Sequence, residues 1–415
     1  MKRLPIVPAL LLLLTTSPAS LAQPAIVPFK IHVPDEVLRD LKERLARTRF
    51  PDEIDGSGWE YGADLRYMKE LVAYWRDQFD WRKQERLLNT FDQYKTTIDG
   101  LEIHFIHQRS PHPNAMPLVV TQGFPSSISE FVKVIGPLTD PVRYGGRASD
   151  SFHLVTISLP GIGFTERPHT RGFNLEKDAA IIAALMARLG YSRYAVQGGD
   201  VGAGIGRLLA LNDTSHVVGL HLNYCNAPPP PGDPAAGLSQ SELKRMEERE
   251  AFWENEHTGW IAIQQRRPQT LAFAFNDSPV GQAAWLVDKW RVLSDSNGNL
   301  ESRFTKDELL TNVTIYWVTQ TSGSAGRRYH EGRLASNARG LNVGKATPSD
   351  DLRRVEVPTA CALFPREATL PPKRWVEARY NLKRWTEMPR GGHFPPLEEP
   401  ELYVDDVRAF FRDLR

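Results

Sequence analysis

Two hydrophobic rhythms alternate along this 415-residue chain. The first consists of short, nearly continuous apolar runs that end in glycine- or proline-bearing loops, the pattern of strands buried on both faces. Pro117-Leu118-Val119-Val120-Thr121, Phe152-His153-Leu154-Val155-Thr156-Ile157-Ser158-Leu159 and Tyr194-Ala195-Val196-Gln197 are three of them. Val217-Val218-Gly219-Leu220-His221-Leu222 and Val357-Pro358-Thr359-Ala360-Cys361-Ala362-Leu363-Phe364 are two more. The second rhythm has apolar residues three and four apart. Ile181, Ile182, Leu185 and Leu189 mark such a helix, which Asn174 can cap and Gly190 can stop. Further helices are expected at Arg207-Leu208-Leu209-Ala210-Leu211 and over 403–414. Strands alternating with helices predict an α/β fold with a mostly parallel sheet covered on both faces.

Three departures from this alternation divide the chain. Before residue 94 the spacing is helical, at Leu38, Leu41 and Leu45 after Pro34-Asp35-Glu36 and at Leu65, Met68, Leu71 and Val72. Trp59, Tyr61, Tyr67, Tyr74, Trp75, Phe79 and Trp81 make this stretch aromatic-rich, the surface of a brace that packs on a neighbouring domain. Next, Asp99-Gly100 between two alternating segments predicts a hairpin where the core sheet begins. His104 and His107 fall on opposite faces of its second strand, a poor metal pair, and read as structural or exposed. Finally, the sheet pattern stops at Pro228-Pro229-Pro230-Pro231, and 239–341 is helical and rich in tryptophan, as a cap inserted over the carboxyl ends of the strands would be. The expected divisions are an N-terminal helical meander at 23–93, a core at 94–230, a helical cap at 231–345, and the rest of the core at 346–415.

Composition narrows the picture only modestly. At 41% hydrophobic and 24% charged residues the chain is ordinary globular material, and its net charge of +1 gives no basic footprint for nucleic acid. A small uncharged substrate is expected. Lys2 and Arg3, the apolar residues 4–16 and Ser20-Leu21-Ala22 have the order of a secretory signal peptide over 1–22. The apolar run is shorter than the roughly 20 residues that span a bilayer. Export to a periplasm or the outside is therefore expected, with no stable membrane anchor after cleavage. Cys225 and Cys361 fall on or just after neighbouring predicted strands and permit one disulfide, although buried free thiols are the favoured reading.

Chemistry concentrates in Gly198-Gly199-Asp200-Val201-Gly202-Ala203-Gly204-Ile205-Gly206, between a predicted strand and a predicted helix. Small residues on both sides of a central side chain allow a turn so sharp that this side chain projects alone, as at the nucleophile elbow of α/β-hydrolases. Here it is Asp200. A carboxylate with a reference pKa near ~4 is already anionic at neutral pH and can attack carbon that carries a strained or good leaving group. A dinucleotide loop would need glycine where Arg207 stands. An ester on Asp200 must be hydrolysed by a histidine base with an orienting acid. His393, in Arg390-Gly391-Gly392-His393-Phe394, and Glu367, just after the last predicted strand, complete the α/β-hydrolase order of nucleophile, acid and histidine. The oxyanion donors are expected to be the amides of Val201 and of Phe124, in Gln122-Gly123-Phe124-Pro125. Side chains and water suffice for this chemistry, so neither a metal nor another cofactor is expected.

From about Phe29 to its end the chain resembles the microsomal-type epoxide hydrolases. The resemblance is carried by Gly198-Gly199-Asp200-x-Gly202, by Asn276-Asp277-Ser278-Pro279-Val280-Gly281 and Leu309-Leu310-Thr311-Asn312-Val313 in the cap, by Phe364-Pro365-Arg366-Glu367, and by Gly391-Gly392-His393-Phe394 running into Glu398-Glu399-Pro400-Glu401. It implies an α/β-hydrolase core with an N-terminal meander and a cap. It also implies that Asp200 opens an epoxide, that cap tyrosines hydrogen-bond the ring oxygen, and that His393 with Glu367 activates the water that releases a vicinal diol. Tyr329, in Arg327-Arg328-Tyr329-His330-Glu331, aligns with one family tyrosine. Three positions depart from the family: Gln122 stands where histidine is usual, Val201 where tryptophan is, and Trp260 where a second cap tyrosine is. Tyr329 is thus expected to activate the ring oxygen nearly alone, with Trp260 shaping the substrate pocket. The aromatic cap, with Phe252, Trp253, Phe275, Trp285 and Trp290, favours a small apolar epoxide. Two other readings stay open. One is a haloalkane dehalogenase using the same aspartate ester, which Val201 disfavours for want of a halide donor; the other is a secreted binding protein on the same fold.

Overall fold

The protein is represented by a computed structural model that describes residues 24–338 and 353–415. The signal peptide expected at 1–22 and the cap-to-core junction expected at 345–346 lie outside the described residues. The strands are β1 (Val27–Phe29), β2 (Gln93–Ile98), β3 (Leu101–Gln108), β4 (Met116–Thr121), β5 (Phe152–Ile157), β6 (Tyr194–Gly198), β7 (Val217–Leu222), β8 (Val355–Leu363) and β9 (Tyr380–Glu387). They form one sheet in the order β1-β2-β3-β5-β4-β6-β7-β8-β9. The pairings from β1 through β3 to β5 are antiparallel, and those from β5 through β4 to β9 are parallel. Leu118, Val119, Val120, Leu154, Val155, Ala195 and Val196 are fully buried at the centre, because helices cover both faces.

The helices are α1 (Asp35–Ala46), α2 (Leu65–Asp77), α3 (Trp81–Leu88), α4 (Ile135–Thr139), α5 (Leu175–Arg188) and α6 (Asp200–Asn212), followed by a cap of α7 (Gln240–Glu256), α8 (Thr258–Arg266), α9 (Pro268–Asp277), α10 (Pro279–Leu293), α11 (Lys306–Thr319) and α12 (Ser322–Ala338). The chain closes with α13 (Lys373–Arg379), α14 (Pro395–Glu398) and α15 (Pro400–Arg412). Asn174 caps α5 by accepting the amides of Glu176 and Lys177, as its position predicts. The cap lands on loops that leave the sheet. Asn312 of α11 donates to the Pro125 carbonyl at 2.7 Å, Tyr316 to the Ser126 carbonyl at 2.7 Å, and Ser324 of α12 to the Gly161 carbonyl.

The N-terminal meander packs on the cap. The Trp75 indole donates to the Thr314 hydroxyl at 3.1 Å, while Tyr74, Lys83 and Gln84 converge on Asp307. Arg44 reaches Asp277, and the Arg291 guanidinium lies 4.9 Å from the Trp59 ring centre. Trp75, Phe79 and Trp81 are buried, whereas Tyr61 points into solvent and takes no part in the brace.

His104 and His107 are both buried and structural, one of the two roles left open for them by the sequence. His104 sits 2.9 Å from both Ser158 Oγ and Gln93 Oε1, and His107 is 2.7 Å from the Tyr191 hydroxyl. Burial drives His104 down to about 3, so it serves as a neutral, hydrogen-bonded core residue. The cysteines are not free thiols: Cys225 and Cys361 form a disulfide with Cα atoms 6.0 Å apart. The sheet register explains this, because Leu222 of β7 pairs with Cys361 of β8 and Cys225 follows three residues later.

Candidate active site

The elbow is built by crowding that only glycine admits. A Cβ on Gly198 would lie 2.3 Å from the Gly202 carbonyl oxygen, and one on Gly202 would lie 2.3 Å from the Thr121 carbonyl oxygen. Asp200 takes φ +48° at the start of α6, a conformation costing roughly 1–3 kcal/mol for a side-chain-bearing residue. That turn lifts its carboxylate above the end of β6. Oδ1 faces the loop after β4, so closely that a Cβ on Gly123 would stand 1.8 Å from it. Val201 is the second residue of α6, where a helix leaves its amide without an intrahelical acceptor. Asp200 Oδ1 is buried and accepts no hydrogen bond from the described residues in the resting protein.

Asp200 Oδ2 lies 3.1 Å from His393 Nε2, and His393 Nδ1 lies 2.6 Å from Glu367 Oε1. The structure thus brings together three groups far apart in sequence. Glu367 is buried and also accepts the Ala368 amide at 2.6 Å, which holds its carboxylate in place. His393 is held by its own amide, which donates to the Leu293 carbonyl at 2.9 Å. Gly392 permits this approach, since a Cβ there would meet the same oxygen at 2.5 Å. Burial disfavours a charge on His393, but the carboxylates of Glu367 and Asp200 outweigh it and hold the imidazole well above its usual value. In the resting site His393 is therefore an imidazolium between two anions.

Tyr329, on α12, comes from the opposite side. Its ring lies 5.6 Å from Trp260 and 6.1 Å from Phe124, and its hydroxyl has no hydrogen-bond partner among the described residues. Burial and the nearby Asp200 charge keep the phenol proton in place. Trp260 packs 6.1 Å from Phe124 and 5.8 Å from His257, walling the space above Asp200 with aromatic surface. Sequence reasoning missed Tyr316, whose ring is 6.0 Å from Phe124, and Tyr224, whose ring stands edge-on to His393 at 5.8 Å. It also missed Glu130. Gln122 donates at 3.0 Å both to Glu130 Oε1 and to the His393 carbonyl, linking the buried acid to the histidine loop. The chain Ser126-Ser127-Ile128-Ser129-Glu130 carries no signal of this, because Glu130 is buried only by tertiary packing. Among the described residues no cluster of His, Cys, Asp or Glu is placed to hold a metal.

Burial raises the Glu130 carboxyl to about 8, against hydrogen bonds from Ser126 and Gln122 and the charge of His393 that favour ionisation. An unfolded chain releases this proton near ~4.3. Between those values the folded state holds a proton that the unfolded state has lost, so this group makes stability fall as pH rises and stops doing so above about 8. Glu130→Gln is expected to abolish that decline. Thermal midpoints measured from pH 5 to 9 should converge for the two proteins at the acidic end and favour the variant at the basic end; parallel curves would exclude an ionisable Glu130.

A family model described as epoxide hydrolase N terminus matches residues 26–131, and one described as alpha/beta hydrolase fold matches residues 116–240. Epoxide hydrolase 1 of Oryctolagus cuniculus is 36% identical over 417 residues, covering 95% of this chain and 90% of that protein. Among solved structures, juvenile hormone epoxide hydrolase from the silkworm Bombyx mori superposes with a TM-score of 0.85 at 27% identity, covering 95% of this chain and 96% of that one. An Aspergillus niger epoxide hydrolase does so with a TM-score of 0.81 at 28% identity, covering 94% and 97%.

Proposed function

This chain belongs to the epoxide hydrolase family and is an epoxide hydrolase, and from that membership we propose a two-step mechanism on Asp200. The observation that carries it is the unbroken line from Glu367 through His393 to Asp200, at 2.6 and 3.1 Å. In the first step the Asp200 carboxylate attacks an epoxide carbon, the ring C–O bond breaks, and Tyr329 supplies a proton to the departing oxygen. The phenol suits this role because its hydroxyl is uncommitted and stays protonated. Trp260 shapes the pocket beside it, and the aromatic wall favours an apolar substrate.

Ester formation then changes the histidine. Once Asp200 is an ester it no longer bears the charge that helped to hold the proton on His393, so the imidazole can pass that proton, through water, to the phenolate that the first step left on Tyr329, and so become a base. His393 takes a proton from water, the hydroxide attacks the ester carbonyl, and the resulting oxyanion lies on Oδ1, a buried oxygen with no hydrogen-bond partner among the described residues in the resting site, to which the amides of Phe124 and Val201 are the proposed donors. Collapse returns the Asp200 carboxylate and a vicinal diol. We also propose that the chain is exported with residues 1–22 as its leader, a reading that the Cys225–Cys361 disulfide supports because such bonds persist in oxidising compartments.

A single turnover of excess protein with an aryl epoxide in oxygen-18 water tests the mechanism. Label should enter the peptide containing Asp200, while the first diol formed carries none from solvent. Label in the diol with an unlabelled peptide would mean direct attack by water and would overturn the ester.

A further inference from the structure

A cavity of about 480 Å³ opens where the loop after β5 meets cap helices α9 and α12. None of Asp200, Glu367, His393, Tyr329 or Trp260 lines it. Its walls are strongly cationic, with Arg167, Arg171, Arg327 and Arg328 set against one acid, Glu331. Arg328 is neutralised by an ion pair with Asp178, and Glu331 accepts the Gly172 amide at 2.8 Å. Among the described residues Arg167 donates only to the Gln320 carbonyl, at 3.4 Å. Neither Arg171 nor Arg327 has an ion-pair partner among the described residues.

Arg327 is half-buried, and both burial and the neighbouring charge of Arg167 weigh against its proton. Two like charges held together in a partly dry recess are costly unless an anion joins them. The first turn of α12 adds to the field, because Gly323 and Ser324 line the same cavity and a helix N-terminus carries partial positive charge. Pro160, Pro168, Phe173 and Ala272 give the wall an apolar part, beside the polar His169, Thr170, Gln269, Asn276 and Gln320. The volume is that of a site for a small organic molecule.

We propose that this cavity is a second binding site, distinct from the catalytic one, for a small organic anion: a carboxylate or phosphate on an apolar body. The charged head lies between Arg167 and Arg327, whose planar forks match the paired oxygens of either group. The apolar body lies against Pro168, Phe173 and Ala272. The ligand would thus rest on α12, the helix that presents Tyr329 to the active site.

Calorimetric titration of the folded protein with benzoate, phenyl phosphate, inorganic phosphate and neutral benzyl alcohol tests this. Benzoate, phenyl phosphate or both should bind saturably with one site per chain, and the neutral alcohol should bind at least roughly tenfold more weakly, given the strength of a charge-assisted hydrogen bond. The better of the two anions distinguishes an organic acid from an organic phosphate. Arg167→Gln and Arg327→Gln should each weaken binding by roughly tenfold. Both remove a repulsion rather than an ion pair, so their thermal midpoints should equal or exceed that of the parent, which verifies folding. Asp200→Ala should leave the affinity unchanged. Absence of saturable binding at millimolar anion, equal affinity in both arginine variants and the parent, or loss of binding in Asp200→Ala would each overturn the site. Inorganic phosphate binding as tightly as phenyl phosphate would overturn the organic body.

Discussion

Replacing His393 with glutamine is expected to turn a catalyst into a trap. Glutamine keeps a hydrogen-bonding group near Asp200 and Glu367 but cannot take a proton from water. The first step does not need that base, because Asp200 is already anionic and Tyr329 supplies the proton to the ring oxygen. The second step does, so the ester should form once and persist. Loss of a positioned general base typically costs 10²–10⁴-fold, and steady-state turnover is expected to fall by about 10³-fold. Intact-mass spectrometry should show one substrate mass added per chain, and peptide mapping should place it on Asp200. Diol release at an undiminished rate without an adduct would remove His393 from the mechanism.

Gly123→Ala is expected to disable the site from its other side. The added methyl would stand 1.8 Å from Asp200 Oδ1 and 2.8 Å from Val201 Cβ, both impossible separations, so something must move. The loop has little freedom to yield, since Asn312 and Trp290 both donate to Pro125 and Tyr316 donates to Ser126. The Asp200 side chain is the softer partner, and its displacement breaks the 3.1 Å contact with His393. A shift of about 1 Å at a reacting group can cost 10²-fold, and the same shift moves Oδ1 from the place where the proposed oxyanion forms, so kcat/KM should fall by about 10³-fold. The fold should survive, because the methyl meets the side chains of Asp200 and Val201 rather than core backbone. A variant of wild-type activity would show that the loop, not the nucleophile, gives way.

Much of this was legible in the residues. The central strands declared themselves because burial on both faces forces continuous apolar runs, and the elbow did so because its turn tolerates only small residues around Asp200. Other parts depend on partners distant in sequence. β1 is three residues long and exists by pairing with β2, more than sixty positions away, so no local rhythm marks it. β9 reads Tyr-Asn-Leu-Lys-Arg-Trp-Thr-Glu, a polar edge strand with one neighbour. α3 carries Arg82-Lys83-Gln84-Glu85-Arg86 through its middle, and only the docking of that face on Asp307 and on the N-terminal segment explains its place. The disulfide needed the register of β7 against β8. Tyr316 sits on α11, which is buried nearly all round and so has no periodicity to single out a functional side chain.

The brace between meander and cap also sets an order of events during synthesis. Trp75 finds Thr314 and Tyr74 finds Asp307 across 239 and 233 residues. At the usual 5–20 residues per second, the aromatic face of α2 leaves the ribosome roughly 10–50 s before its partners exist. The meander therefore cannot complete its native packing as it emerges and must wait, apolar side chains uncovered, for the cap. A chain destined to cross a membrane unfolded gains from such a delay, while one overproduced without chaperones is exposed by it to aggregation.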